Sequence, residues 1–174
     1  MRTLVLGGVR SGKSTHAEGL LADRAVDYLA TARHQADDPE WEERIAAHVA
    51  RRPESWRTIE PTDLPAELRA ARTRPVLVDD LGVWLTCELD DTGAWTDAAA
   101  ALPRVRSRAA ELVDAVAGCR VRLVLVSPEV GLGVVPDTRA GRLFRDELGR
   151  LNAAVAGVCE EVLLLVAGLP VRLR

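Results

Sequence analysis

"RTLVLGGVRSGKST", residues 2–15, passes from a strand-like run, Thr3–Leu6, through a glycine-bounded loop into good helix formers starting at Lys13. Gly7-x-x-x-x-Gly12-Lys13-Ser14 matches the phosphate-binding loop pattern in full, in the strand–loop–helix context that the motif requires. Glycines let the backbone turn its N–H groups toward phosphates, and the helix N-terminus adds its dipole. The chain has 22 arginines and a single lysine, Lys13. A merely solvated basic position would have followed the trend, so residue 13 calls for a compact ammonium rather than a planar guanidinium. The expected nucleotide contacts are therefore Gly7, Gly8, Val9, Arg10, Ser11, Gly12, Lys13 and Ser14, with Lys13 catalytic on the β- and γ-phosphates and Ser14 a ligand of Mg²⁺.

Beyond this unit, short apolar runs recur at Tyr28–Thr31, Val76–Asp79, Val121–Ser127 and Val162–Val166, each reading as a buried strand. Stretches dominated by Ala, Leu, Glu and Arg lie between them: Lys13–Arg24, Glu40–Arg51, Asp63–Arg72, Thr96–Val116 and Arg139–Gly157, helices by propensity. Strands alternating with helices predict an α/β P-loop NTPase of RecA-like type, a three-layer sandwich with a mostly parallel sheet and ligands at the carboxyl ends of its strands. Leu169–Leu173 is expected to add an antiparallel edge strand after a turn at Gly168. Arg33–Pro39, Asp90–Ala94 and Pro128–Thr138 read as irregular. At 174 residues, with neither repeat nor low-complexity linker, the expectation is one domain over 1–174.

A net charge of −3, with 48% hydrophobic and 28% charged residues, lacks the basic excess of a nucleic-acid binder and points to small-molecule partners. Cys87, Cys119 and Cys159 are odd in number and far apart, which excludes a disulfide framework and a C-x-x-C metal site within the chain. No apolar run approaches membrane-spanning length and no leader precedes the first strand, so a cytoplasmic enzyme is expected.

A phosphate loop needs a second carboxylate near the metal, usually at the end of an apolar strand. "PVLVDD", residues 75–80, offers Asp79, with Asp80 on the opposite face; the alternative is that both aspartates cap a helix beginning near Gly82. "DDLG", residues 79–82, also fits the D-x-x-G element of a regulatory GTPase. Such proteins read guanine with N-K-x-D or T-K-x-D, which a chain whose sole lysine is Lys13 cannot contain. In residues 37–60, Trp41, Ile45 and His48 share one helical face near Arg44, Arg51 and Arg52. One reading is a half-buried amphipathic helix. The other is a histidine kept neutral and nucleophilic by surrounding positive charge, with arginines to hold a triphosphate.

"GGVRSGKS" (7–14), "YLATA" (28–32), "ERIAAHVARRPESWRTIE" (43–60), "VLVDDLGVWLT" (76–86), "EVGLGVVPDTRAGRLFRDELGRLN" (129–152) and "AGLPVRL" (167–173) together resemble the bifunctional adenosylcobinamide kinase/adenosylcobinamide-phosphate guanylyltransferases of cobalamin biosynthesis, nearly end to end. The resemblance implies phosphorylation of the adenosylcobinamide hydroxyl by ATP or GTP, then transfer of GMP from GTP onto adenosylcobinamide phosphate through a guanylylated histidine. That histidine falls on His48, not on His16 or His34. Thr31, Ala32, Val49, Ala50, Arg51, Arg52, Glu60 and Asp79 would line the nucleotide site, with Asp79 joining Ser14 on Mg²⁺, and a homotrimer is implied, its site completed by a neighbouring subunit. Read without the resemblance, Glu60 is an exposed strand-end carboxylate. Three positions depart from the family pattern: Pro128 where Asn is usual, Gly82 where Thr or Leu is, and Glu88 where Asn is. Residues 129–136, with Gly131, Gly133 and Pro136, are either a loop that closes over corrinoid or nucleotide or a plain connector.

Overall fold

The computed structural model describes residues 1–32 and 53–174. The helix expected over Glu40–Arg51 and the segment Arg33–Pro39, with His34, Trp41, Arg44, Ile45, His48, Val49, Ala50, Arg51 and Arg52, lie outside the described residues.

Seven strands are described: β1 (Arg2–Gly7), β2 (Asp27–Ala30), β3 (Arg57–Ile59), β4 (Val76–Asp79), β5 (Leu123–Pro128), β6 (Glu161–Val166) and β7 (Leu169–Arg172). They form one sheet in the order β3-β2-β4-β5-β1-β6-β7, parallel throughout except for the β6–β7 pair. In the central register Leu4 faces Leu125 and Val162, and Val5 faces Val126 and Leu163. Parallel neighbours require crossovers, and the described helices are α1 (Lys13–Gly19), α2 (Leu64–Ala70), α3 (Leu81–Thr92), α4 (Ala98–Gly118) and α5 (Arg139–Val158).

Side chains alternate between the two faces of the sheet, so the apolar strands supply two cores. Leu4, Leu6, Leu29, Val78 and Leu125 pack beneath α2 to α5, against Leu68, Leu85, Leu112 and Leu151. Val5, Tyr28, Leu77, Val126 and Leu165 pack on the other face against Ala17 and Leu21. Helix plus sheet plus helix is the expected three-layer α/β P-loop NTPase architecture. Asp63, Asp80, Asp97 and Thr138 cap α2 to α5, each side chain accepting from a backbone N–H three residues on.

Element bounds depart from the sequence reading in three places. The helix expected over Lys13–Arg24 stops at Gly19, because Leu21 and Ala22 donate to Glu18 and Gly19 carbonyls three residues back and tighten the chain into turns. Asp90–Ala94, expected to be irregular, is helical through Thr92, and α3 closes on Gly93 at φ 68°. β3 is too short for a periodicity signal; Arg57 holds it to β2 by an ion pair with Asp27 at 3.0 Å.

Candidate active site

The segment between β1 and α1 is shaped by two glycines for different reasons. A Cβ on Gly7 would lie 2.3 Å from Ser11 Oγ and 3.0 Å from Leu165 O, so the loop can fold back on the strand only if residue 7 has no side chain. Gly12 caps α1 at φ 88°, in the left-handed region. The β6–β7 turn braces the loop, with Gly168 N–H donating to Ser11 O at 2.9 Å. Lys13 Nζ curls back to donate to Gly8 O at 3.4 Å. Ser11 Oγ is buried with no hydrogen-bond partner among the described residues, a hydroxyl left free inside the loop.

Asp79 ends β4, and Ser14 Oγ donates to its Oδ1 at 3.3 Å. Tyr28 OH donates to Oδ2 at 2.8 Å. The sheet register explains the second bond: Ala30 of β2 lies opposite Asp79, and Tyr28, two residues back, shares its face. Asp80 turns to the other side of the sheet and accepts from Val83 N–H at 2.8 Å as the cap of α3. Desolvation pushes the Asp80 carboxyl above its ordinary range, and the neighbouring Asp79 charge adds to this. The cap of α3 is thus Asp80, while Asp79 faces Ser14. An alcohol oxygen beside a carboxylate oxygen is the hard, sparse donor set that suits Mg²⁺, which keeps most of its positions for water and substrate phosphates.

A cavity of about 420 Å³ opens beside this cluster and is lined by Thr31, Ala32, Glu60, Trp84, Cys87 and Glu88 among others. Thr31 connects the two, its N–H donating to Asp79 O at 3.3 Å and its Oγ1 to Asp80 O at 2.7 Å. Burial pushes the Glu88 carboxyl up despite Arg108 at 3.4 Å, a guanidinium that also binds Asp63 at 3.2 Å and Glu111 at 2.6 Å. Of the expected site residues, the phosphate loop, Lys13, Ser14 and Asp79 form one cluster, and Thr31, Ala32 and Glu60 meet in the adjoining cavity. Glu60 is also an exposed carboxylate just past a strand end. His48 and Val49 to Arg52 lie outside the described residues. Tyr28, Trp84 and Cys87 were not anticipated. The last two follow from helical spacing with Glu88, whereas Tyr28 depends on a strand pairing that no local signal carries.

Pro128 and Gly82, two of the departures from the family pattern, touch. A Cβ on Gly82 would lie 2.6 Å from Pro128 Cγ. Beneath them Ser127 Oγ donates to Asn152 Oδ1 at 2.6 Å, and Asn152 Nδ2 donates to Pro128 O at 3.1 Å.

A family model described as cobinamide kinase / cobinamide phosphate guanyltransferase matches residues 3–173. A bifunctional adenosylcobalamin biosynthesis protein CobP of Pseudomonas aeruginosa is 47% identical over 181 residues, spanning 100% of this chain and 98% of its own. The bifunctional adenosylcobalamin biosynthesis proteins CobU of Escherichia coli K12 and Salmonella typhimurium LT2 are 39% and 38% identical, with 100% of each chain covered. Among solved structures, an ATPase from the type III secretion system of pathogenic bacteria superposes with a TM-score of 0.54 at 12% identity, over 94% of this chain and 51% of that one. This chain spans about half the length of that ATPase chain, and the likeness is one of fold alone. On matches that run from end to end, the chain belongs to the cobinamide kinase / cobinamide phosphate guanyltransferase family.

Proposed function

We propose that the chain is a bifunctional transferase that phosphorylates adenosylcobinamide with ATP or GTP and then moves GMP from GTP onto the phosphate it has made. The observation that carries the reading is Ser14 Oγ bonded to Asp79 Oδ1 beside a phosphate loop with its lysine, in a chain whose family performs both reactions. In the first reaction the acceptor hydroxyl oxygen bonds to the γ-phosphorus, the bond from that phosphorus to the bridging oxygen breaks, and the nucleoside diphosphate leaves while the hydroxyl proton passes to solvent. Loop amides and Lys13 hold the phosphates in line and neutralise the charge on the transferred group. Ser14 and Asp79 would hold Mg²⁺, which supplies further charge neutralisation when bound, and Tyr28 holds Asp79 in place.

In the second reaction an imidazole nitrogen of His48 bonds to the α-phosphorus of GTP and pyrophosphate leaves. The acceptor phosphate oxygen then takes the GMP group, the N–P bond breaks, and adenosylcobinamide-GDP departs. Thr31, Ala32 and Glu60 are assigned to the nucleotide, together with Val49, Ala50, Arg51 and Arg52. The working form is taken as a single-domain subunit over 1–174, in a cytoplasmic homotrimer whose neighbouring subunit completes the site. Incubation with α-labelled and γ-labelled GTP tests the transfer. The α-label attaches through an acid-labile, alkali-stable bond that peptide mapping places on His48, and His48→Ala loses it while still binding nucleotide. A chain that hydrolyses GTP without ever taking up α-label would leave only the kinase.

A further inference from the structure

Five large apolar side chains stand out from the sheet edge that carries the phosphate loop. Val9 of the loop is 90% exposed, Leu132 is 82% exposed and Val134 is 94% exposed, and Val130 and Val135 are exposed with them. Four of the five belong to "EVGLGVVP", residues 129–136. Aliphatic groups concentrated in water beside a binding site mark a surface that something covers.

Both ends of this segment are fixed. It leaves β5, which lies in the sheet between β1 and β4, and so emerges between the phosphate loop and Asp79. Glu129 N–H donates to Gly7 O at 3.0 Å, tying its first residue to the start of the loop. At the far end Arg142 Nη1 donates to Pro136 O at 2.9 Å and to Asp137 O at 2.7 Å, and Thr138 caps α5. Within it, Gly131 N–H donates to Glu129 Oε1 at 2.5 Å, a tight turn just before Leu132.

A triphosphate has no use for such a surface, since amides, an ammonium and a carboxylate serve it. The group that receives the phosphoryl must reach the γ-phosphate from this same edge, and in this family it is cobinamide, whose corrin ring carries methyl groups beside its amide arms. We propose that Val130, Leu132, Val134 and Val135, with Val9, form the acceptor seat of the kinase step. They cover a face of the macrocycle while its hydroxyl arm reaches the phosphate loop. The inference rests on the kinase reading above and adds the residues that position the acceptor.

Steady-state kinetics with cobinamide and ATP test it on the full chain. Replacing two aliphatic contacts by amides, Leu132→Asn with Val134→Asn, raises KM for cobinamide about tenfold. Turnover at saturation and the Kd for nucleotide stay within about twofold, the signature of lost ground-state binding rather than lost chemistry. Leu132→Met with Val134→Ile keeps the wild-type KM. A wild-type chain that phosphorylates cobinamide beside an Asn variant of unchanged KM overturns the seat alone. A wild-type chain that transfers nothing to cobinamide overturns the kinase reading and the seat with it. An Asn variant that sediments as a different oligomer from wild type makes the patch an interface between copies, and that also overturns the proposal.

Discussion

A β-carbon at residue 82 and a proline ring at residue 128 exclude each other, because the two would approach within 2.6 Å. The pair therefore behaves as one packing decision although 46 positions separate its members in sequence. Gly82→Ala should cost ~1–3 kcal/mol by overpacking, in spite of alanine's better helix propensity. In a Pro128→Asn background the same change should be close to neutral, giving a coupling of at least ~1 kcal/mol in a double-mutant cycle of denaturant midpoints. Additive effects would mean that the ring moves aside freely. The Tyr28 hydroxyl acts at the same scale on Asp79. Tyr28→Phe removes one hydrogen bond from the carboxylate without emptying the space under the ring. The Mg²⁺ concentration for half-maximal turnover should rise ~10-fold, as it does when a ligand loses its outer support. A Mg²⁺ titration that overlays wild type would remove Tyr28 from the site.

The first residue of β1 is tied to Glu160, just before β6. Arg2 Nη2 meets Glu160 Oε1 at 2.5 Å, the Arg2 backbone N–H also donates to that carboxylate, and Glu160 N–H returns a bond to Arg2 O at 3.0 Å. These bonds hold the Glu160 carboxyl at about 2, against an ordinary value of 4.5. Because the folded value is the lower one, the contribution is complete above about pH 4.5 and is lost as pH falls from there toward 2. The carboxylate is half exposed and screened, so the gain is below ~1 kcal/mol. Glu160→Gln should lower the urea midpoint slightly at pH 7, with the two midpoints converging near pH 2; a constant gap would show that the pair is inert. Strands such as β1 and β5 were legible because parallel strands buried on both faces are unbroken apolar runs, and α4 and α5 because composition and length agree. β3 was not, with three residues and no alternation to read. The end of α3 was obscured by Asp90, Asp91 and Thr92, poor helix formers that tertiary packing carries to the Gly93 cap. The phosphate loop could be read locally because all its parts are contiguous, and Asp79 because it ends an apolar strand. Tyr28 could not, since its partner lies 51 residues away across a pairing that depends on the strand order.

The strand order sets the two site clusters side by side. β1 and β4 flank β5, which brings the phosphate loop and Asp79 to the middle of the carboxyl edge, while β2 and β3 carry Thr31 and Glu60 to one side. A nucleotide whose phosphates lie on the loop and whose base enters the adjoining cavity would meet the Glu60 carboxylate there. A carboxylate accepts from the N1–H and N2 amino group of guanine; adenine has no donor at either position. Ligand binding that favours the folded chain appears as added stability, ~2.7 kcal/mol at a hundred times Kd, or ~5–10 °C in Tm for a chain of this size. Lys13→Ala should abolish that rise with Mg·ATP and Mg·GTP alike, because an ammonium on the phosphates would touch only what the two nucleotides share. Glu60→Gln should keep the rise with ATP and shrink it with GTP, since an amide carbonyl can accept one guanine hydrogen but its NH₂ opposes the next. Equal shifts of the two nucleotides in Glu60→Gln would place the base outside this cavity, and loss of both would make Glu60 a support of the phosphate loop rather than a reader of the base.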